Sequence, residues 1–174
     1  MPIPRHKSVP GTGFVVDGFR ACASCKEATT FFLTHAHGDH YDGLSERWDR
    51  PFYCSTITGQ LVVRKLGVKR ELLRHIDPDD EDPVTIEGVR VRAICANHCP
   101  GAVQFLFEVV ESGETRRYIH SGDMRWNRSM MENEALRCFR KEKTRILFLD
   151  TTYCNVSRAQ PRLAHSCRPQ SADC

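Results

Sequence analysis

The stretch "LTHAHGDHYDGL", residues 33–44, places His35, His37, Asp39 and His40 within six positions. Imidazole nitrogens and carboxylates are the usual donors to a borderline divalent ion such as zinc, with nitrogen–metal distances of about 2.0–2.1 Å. A lone histidine would read as a core residue with satisfied hydrogen bonds, and a solvated loop has no reason to gather four ligand-type groups. The alternate histidines at 35 and 37 can converge on one ion. Asp39 and His40 are adjacent, point differently and can reach a second ion roughly 3.5–4 Å away. Such ions lower the pKa of a bound water, so that it can act as a nucleophile at neutral pH. Gly38 is expected to give the backbone the freedom this tight turn needs.

Two later stretches can complete the shell. "ANHCPGA" (96–102) places His98 just after a strand, and "HSGDMR" (120–125) places Asp123 on a turn after another. His120 is the alternative in the second stretch. Its side chain belongs to the strand, so Asp123 is preferred, a carboxylate that can bridge two ions.

The elements around these residues read as a layered domain. "GFVVD" (13–17) and "TTFFLT" (29–34) are short apolar runs bounded by turn residues, hence strands. Ser55 caps a helix over 56–66 that Gly67 closes, with Leu61, Val62 and Leu66 on one face and Gly59 a weak point. "DPDDEDP" (77–83) is an acidic loop. Residues 84–96 form a hairpin turning at Glu87-Gly88, with Val89, Val91 and Ala93 alternating inward. Residues 103–110 and 116–122 form a second hairpin around Ser112-Gly113, 129–139 a helix, and 145–150 a strand ending in Asp150. No repeat is present, and no Gly-rich phosphate loop follows the first strand, so a nucleotide cofactor is not expected. The fold class is α/β, with residues 1–155 as one layered unit and a change of character at Val156. The segment 156–174 has no aromatic residue and little apolar content, and is expected to be disordered.

Composition bounds the partners. The 174 residues suit one domain with a core. The formal charge is +3, of which Arg158, Arg162 and Arg168 against Asp173 leave +2 in the tail. Net charge therefore gives no support for nucleic-acid binding, and any basic track must be local. "MPIPRHKSVP" has no apolar run behind it and reads as no secretory signal, and no stretch approaches the roughly 18 apolar residues of a membrane span. Nine cysteines are then expected as reduced thiols in cytosol or nucleus, with the Cys22/Cys25 pair incidental.

Taken in order, "VDGF", "LTHAHGDHYDGL", "ANHCPGAVQFLF", "YIHSGDMRW" and "LFLDTTYCN" resemble the DNA cross-link repair nucleases of the β-CASP group, the Artemis- and Apollo-type family. The likeness runs from about Gly13 to Asn155. It implies a metallo-β-lactamase fold, an αββα sandwich, and a site assigned position by position. His35, His37 and His98 would hold a first ion, Asp39 and His40 a second, and Asp123 would bridge them. Asp17 would orient a metal-bound histidine, Asp150 is the acid of the last motif, and Asp39 would position the attacking water or take its proton. Asp39, Asp17 and Asp150 are thus the implied catalytic set.

The implied activity is metal-dependent hydrolysis of DNA phosphodiesters from a 5′ end, exonucleolytic or endonucleolytic, in interstrand cross-link and double-strand break repair. The ion would be zinc, one or two per site. The partners would be DNA with a 5′ end and DNA-repair proteins, and the place of action the nucleus. The family text departs after "LDTTYC": its cap domain and the last histidine of the second ion site have no counterpart. The expectation is the N-terminal half of the sandwich with a divergent tail at 156–174, and His165 is not taken as a ligand. Two other readings follow: a non-catalytic piece that binds metal or a partner, and an RNA-processing nuclease or other lactamase-fold hydrolase.

Overall fold

The computed structural model describes residues 3–22, 25–78 and 80–152. Two sheets lie face to face. The first has four parallel strands in the order β1-β2-β3-β4: β1 Phe14–Val16, β2 Thr30–Phe32, β3 Phe52–Cys54 and β4 Leu73–His75. The second runs β5-β6-β7-β8-β9: β5 Val84–Ile86, β6 Val89–Cys95, β7 Val103–Glu111, β8 Glu114–His120 and β9 Thr144–Phe148. Its first four strands are antiparallel neighbours, and β9 joins β8 in parallel.

Apolar side chains fill three layers. Phe14, Val16 and Phe32 of the first sheet meet Val91, Ala93, Phe105, Phe107 and Tyr118 of the second. The opposite faces of β1–β3 pack Val15, Phe31, Leu33 and Phe52 against α1 (Phe19–Cys22) and α2 (Thr56–Leu66) through Phe19 and Val62. On the outer side of the second sheet, Ile94, Leu106 and Ile119 pack against Phe139 of α3 (Glu134–Lys141). The αββα layering is therefore present. β1 and β2 of the first sheet are buried on both faces, which is why they read as apolar runs.

Local chemistry set several boundaries. Ser55 Oγ accepts Thr58 N, and Gly67 at φ 69° ends α2 by donating to Val63 O. Both hairpins turn on consecutive positive-φ residues, Glu87-Gly88 and Ser112-Gly113, the backbone a two-residue turn requires. Within α2, Val62 is buried and Leu66 partly so, but Leu61 is 41% exposed. Thr58 and Gly59 take its place, because a Cβ on Gly59 would stand 3.0 Å from the His75 ring and 3.2 Å from Cys54 Sγ.

Other expectations change. The helix over 129–139 is two pieces: a 3₁₀ turn at Arg128–Glu132, then α3. Asn133 divides them, its side chain accepting Leu136 N and starting a new helix. The strand near 145–150 is an edge strand with Ile146, Leu147 and the following Leu149 exposed. Cys25, Cys54, Cys99 and Cys138 are free thiols, whereas Cys95, at the end of β6, is disulfide-bonded, against the expectation of reduced thiols. The segment 156–174, with His165, lies outside the described residues. Among the described residues no helix is long and apolar enough to cross a membrane.

Candidate metal centre

The site forms where β1, β2, β6 and β8 end on one side of the sandwich. β2 delivers the rigid run Leu33-Thr34-His35, all buried. The chain then turns on itself, with His40 N and Tyr41 N both donating to His37 O. Gly38 is not what permits this turn. It has no positive φ, and a Cβ there would make ordinary contact with the Tyr41 side chain, 3.8 Å from Oη.

Four side chains converge. His35 Nε2 lies 2.9 Å from His37 Nδ1, and His98 Nε2 lies 3.2 Å from the same atom. Asp123 Oδ2 is 3.9 Å from His35 Nε2 and 3.6 Å from His98 Nε2. All four donor atoms fall within 4.8 Å of one another. Ligands about 2.0–2.1 Å from one tetrahedral ion stand roughly 3.3–3.4 Å apart, so these spacings bracket the value an ion requires. Asp123 thus belongs to the cluster. The alternative, His120, does not: its Nε2 pairs with His6 O at 3.0 Å and its Nδ1 accepts Gly122 N.

Hydrogen bonding fixes which nitrogens are free. Buried Asp17 accepts Thr34 N at 2.8 Å on Oδ1, and Thr34 Oγ1 at 2.7 Å and His40 Nδ1 at 2.8 Å on Oδ2. The single Thr34 hydroxyl proton is committed to Asp17, so Thr34 Oγ1, 3.0 Å from His35 Nδ1, must accept the proton there. His35 then carries hydrogen on Nδ1 and turns the Nε2 lone pair into the cluster. His40 carries hydrogen on Nδ1 in the same way. Its Nε2 faces Asp123 Oδ1 at 3.1 Å and Asp39 Oδ2 at 3.5 Å. A neutral nitrogen opposite two carboxylate oxygens needs a positive charge between them, either a proton or a cation. Asp39 and His40 therefore stand beside the four-residue cluster, with Asp123 shared. His98 Nδ1 is buried and has no hydrogen-bond partner among the described residues.

Left-handed backbone stands at three points around the site. Asp17 at φ 53°, Asn97 at φ 54° and Gly122 at φ 52° each occupy the left-handed region beside a site residue or as one. At Gly122 nothing larger fits, since a Cβ would stand 2.7 Å from Thr34 Cβ. Nothing in the linear sequence marks Asp17 or Asn97 for this conformation. Asp150 lies outside the cluster. Its carboxylate accepts Met124 N at 3.2 Å and Thr152 N at 2.7 Å, and Asp150 N donates to Ser121 Oγ, pinning the turn that bears Asp123.

Burial pushes His35 down to about 3, and it lowers His98 too. Burial opposes the charged form of Asp17, yet the hydrogen bond and charge of His40, with the Thr34 amide, hold its carboxyl below the ordinary range. His40 is raised despite burial, by Asp17 first and then by Asp123 and Asp39. His35 is therefore a neutral donor across the physiological range, and the set fits a divalent cation: neutral imidazoles, one shared carboxylate, and an open side at exposed His37 and Asp39.

The same shifts predict acid lability without metal. A histidine whose folded pKa lies below its unfolded value binds fewer protons when folded. The stability from His35 is thus complete above about pH 6.5 and drains as pH falls toward about 3, by up to about 1.4 kcal/mol per pH unit. Asp17 acts in the same direction and His40 opposes it. Urea midpoints measured in EDTA should fall from about pH 6.5 to about pH 4, below the range in which His40 titrates; a flat or rising profile over that interval would show that His35 is not buried as a neutral group.

A family model described as "Beta-lactamase superfamily domain" matches residues 10–166. The DNA cross-link repair 1A protein of Mus musculus is 41% identical over 158 residues, covering 91% of this chain and 14% of that protein. The 5′ exonuclease Apollo of Rattus norvegicus is 38% identical over 158 residues, covering 88% of this chain and 28% of that protein. The chain thus spans well under a third of these relatives' lengths. The solved metallo-β-lactamase SMB-1 aligns with a TM-score of 0.45 at 15% identity, over 78% of this chain and 65% of that one. The family match covers both sheets and every converging donor, and with it the chain belongs to the β-lactamase superfamily, as a metallo-β-lactamase-fold domain with a divalent-metal site.

Proposed function

We propose that this domain is a metal-dependent nuclease that hydrolyses DNA phosphodiesters from a 5′ end, acting in the nucleus in repair of cross-linked and broken DNA, with DNA-repair proteins as partners. The observation that carries the reading is the convergence of His35, His37, His98 and Asp123 from three separate segments onto one point. The choice of DNA over other lactamase-fold substrates is supported by the relatives, whose names are a DNA cross-link repair protein and a 5′ exonuclease.

Zinc suits the donor set, and we assign His35, His37, His98 and Asp123 to a first ion and Asp39, His40 and Asp123 to a second. When bound, such ions supply Lewis acidity, acidifying a water and screening charge on phosphorus. The chain's own groups do the rest. Asp17, through Thr34, holds His35 in the tautomer that leaves Nε2 free. Asp39, 81% exposed on its side chain, is placed to hold the proton released by the attacking water. Asp150 fixes the Asp123 turn through Met124 N.

The test is digestion of 5′-phosphorylated DNA by the full chain with zinc, manganese or magnesium, before and after chelation. Nucleotide release should require metal and fall at least about 100-fold in Asp39→Ala. Zinc retention without cleavage in any metal would reject the nuclease. It would favour instead the reading as a metal-binding module, for which the exposed edge at Ile146, Leu147 and Leu149 is the supporting observation.

A further inference from the structure

We propose that Trp126, flanked by Arg125 and Arg128, is a stacking platform for a base near the end of a nucleic-acid strand presented to the metal centre; this rests on the nuclease reading. Trp126 is 61% exposed. The chain's other tryptophan, Trp48, is 6% exposed and packs edge-on against Phe19 and Phe31, so this core can bury an indole. A single exposed aromatic is ordinary in itself; this one stands out through its tethered backbone and the arginines beside it in sequence.

The loop is fixed on both sides of the indole. Arg125 N donates to Ala96 O at 3.0 Å, and Asn97 Nδ2 donates to Arg125 O at 3.2 Å. Met124 N donates to Asp150 Oδ2, and Asn127 Oδ1 accepts Ser129 N at 3.1 Å. Trp126 follows Asp123 by three positions, and its neighbour is bonded to the residues that precede His98. Two of the segments that bring donors to the cluster therefore hold the backbone beside Trp126, three residues along the chain from Asp123.

Charge selects the occupant. Residues 124–131, "MRWNRSMM", contain two arginines and no acid, in a chain whose net charge outside its tail is near neutral. Met131, 47% exposed, would suit a protein surface equally well, but an arginine on each side of an aromatic favours an anionic strand with π faces. Base–aromatic stacking tolerates any sequence, and arginine adds charge and cation–π attraction.

The full chain with added zinc is titrated with a 5′-phosphorylated oligodeoxythymidine of about 10 nucleotides, phosphorothioate-linked to resist cleavage. Emission and the anisotropy of a labelled copy are followed together. Wild-type emission should be quenched, since Trp126 is the exposed indole and Trp48 the buried one. Trp126→Phe should lose the quench and keep near-native affinity, and Trp126→Ala should bind roughly 5- to 150-fold more weakly, the equivalent of one stacked base. Unchanged affinity in Trp126→Ala with unquenched wild-type emission overturns the platform, as does no binding by the wild type, and leaves the ring to a protein contact. Cleavage that needs metal alongside that result would spare the nuclease; quenching without cleavage in any metal would sink the nuclease and spare the platform.

Discussion

Asp123→Asn is expected to lose bound metal and DNA cleavage together while leaving the fold intact. Asp123 is the one group shared between the two donor sets: Oδ2 faces His35 and His98, and Oδ1 lies 3.1 Å from His40 Nε2. The amide has nearly the same shape but no charge, and one of its two ends becomes an N–H₂ donor that cannot ligate. Both donor sets lose the negative charge, and whichever way the amide turns one of them also loses its ligating oxygen. Partners outside the ligand shell typically cost 10–100-fold in metal affinity, so removal of a shared ligand should exceed about 100-fold. The carboxylate is about a quarter exposed and lies on the turn beyond β8, so the denaturation midpoint without metal should hardly move. Elemental analysis after dialysis against a weak chelator, set beside the cleavage assay, measures both effects. Wild-type metal content in the variant would show that Asp123 is not a ligand, however slow the cleavage.

Legibility divided along the range of the interactions involved. α2 could be read from Ser55 and Gly67 because a helix cap is settled by residues three or four positions away. Both hairpins were legible for the same reason, their turns being written in two adjacent residues. β3 and β4 were not anticipated. β3 is three residues long, and β4 has only Leu73 to mark it, with Arg74 and His75 exposed; both owe their state to neighbours supplied by β2. The break at Asn133 was missed because an asparagine inside an amphipathic run can either tolerate the helix or restart it, and packing of Phe139 decided the phase.

The site followed the same rule. The crowding of histidines at 35–40 was visible at once, and His98 and Asp123 could be nominated as strand-end residues. What residue order could not express is the proton wiring, in which the buried carboxylate just after β1 reaches across 17 positions to Thr34 and 23 to His40. Nor could it express that the loop bearing Asp123 packs so close to Thr34 that residue 122 must lack a Cβ.

That wiring makes Asp17 the position where a single substitution should do most harm to the protein as a whole. In Asp17→Ala the Thr34 amide, the Thr34 hydroxyl and His40 Nδ1 all lose their acceptor in a region closed to water. At about 1–3 kcal/mol for each abandoned group the loss is several kcal/mol, comparable with the whole stability of an ordinary domain. Alanine must also accept the left-handed φ of 53°, which asparagine and aspartate tolerate far better. Asp17→Ala should therefore fail to accumulate as folded protein. Asp17→Asn separates wiring from folding. Its Oδ1 can still accept Thr34 N, but Nδ2 now meets two donors where Oδ2 accepted both. Thr34 escapes by turning its hydroxyl proton toward His35 Nδ1, which moves the ring's own hydrogen to Nε2 and into the cluster. A nitrogen that carries hydrogen cannot ligate, so the asparagine variant should fold, lose about 10–100-fold in metal affinity and show the swapped His35 tautomer in imidazole ¹⁵N spectra. A variant that is folded, keeps the Nδ1–H tautomer and binds metal as tightly as the wild type would show that Asp17 supports the backbone alone and has no part in preparing His35 for a cation.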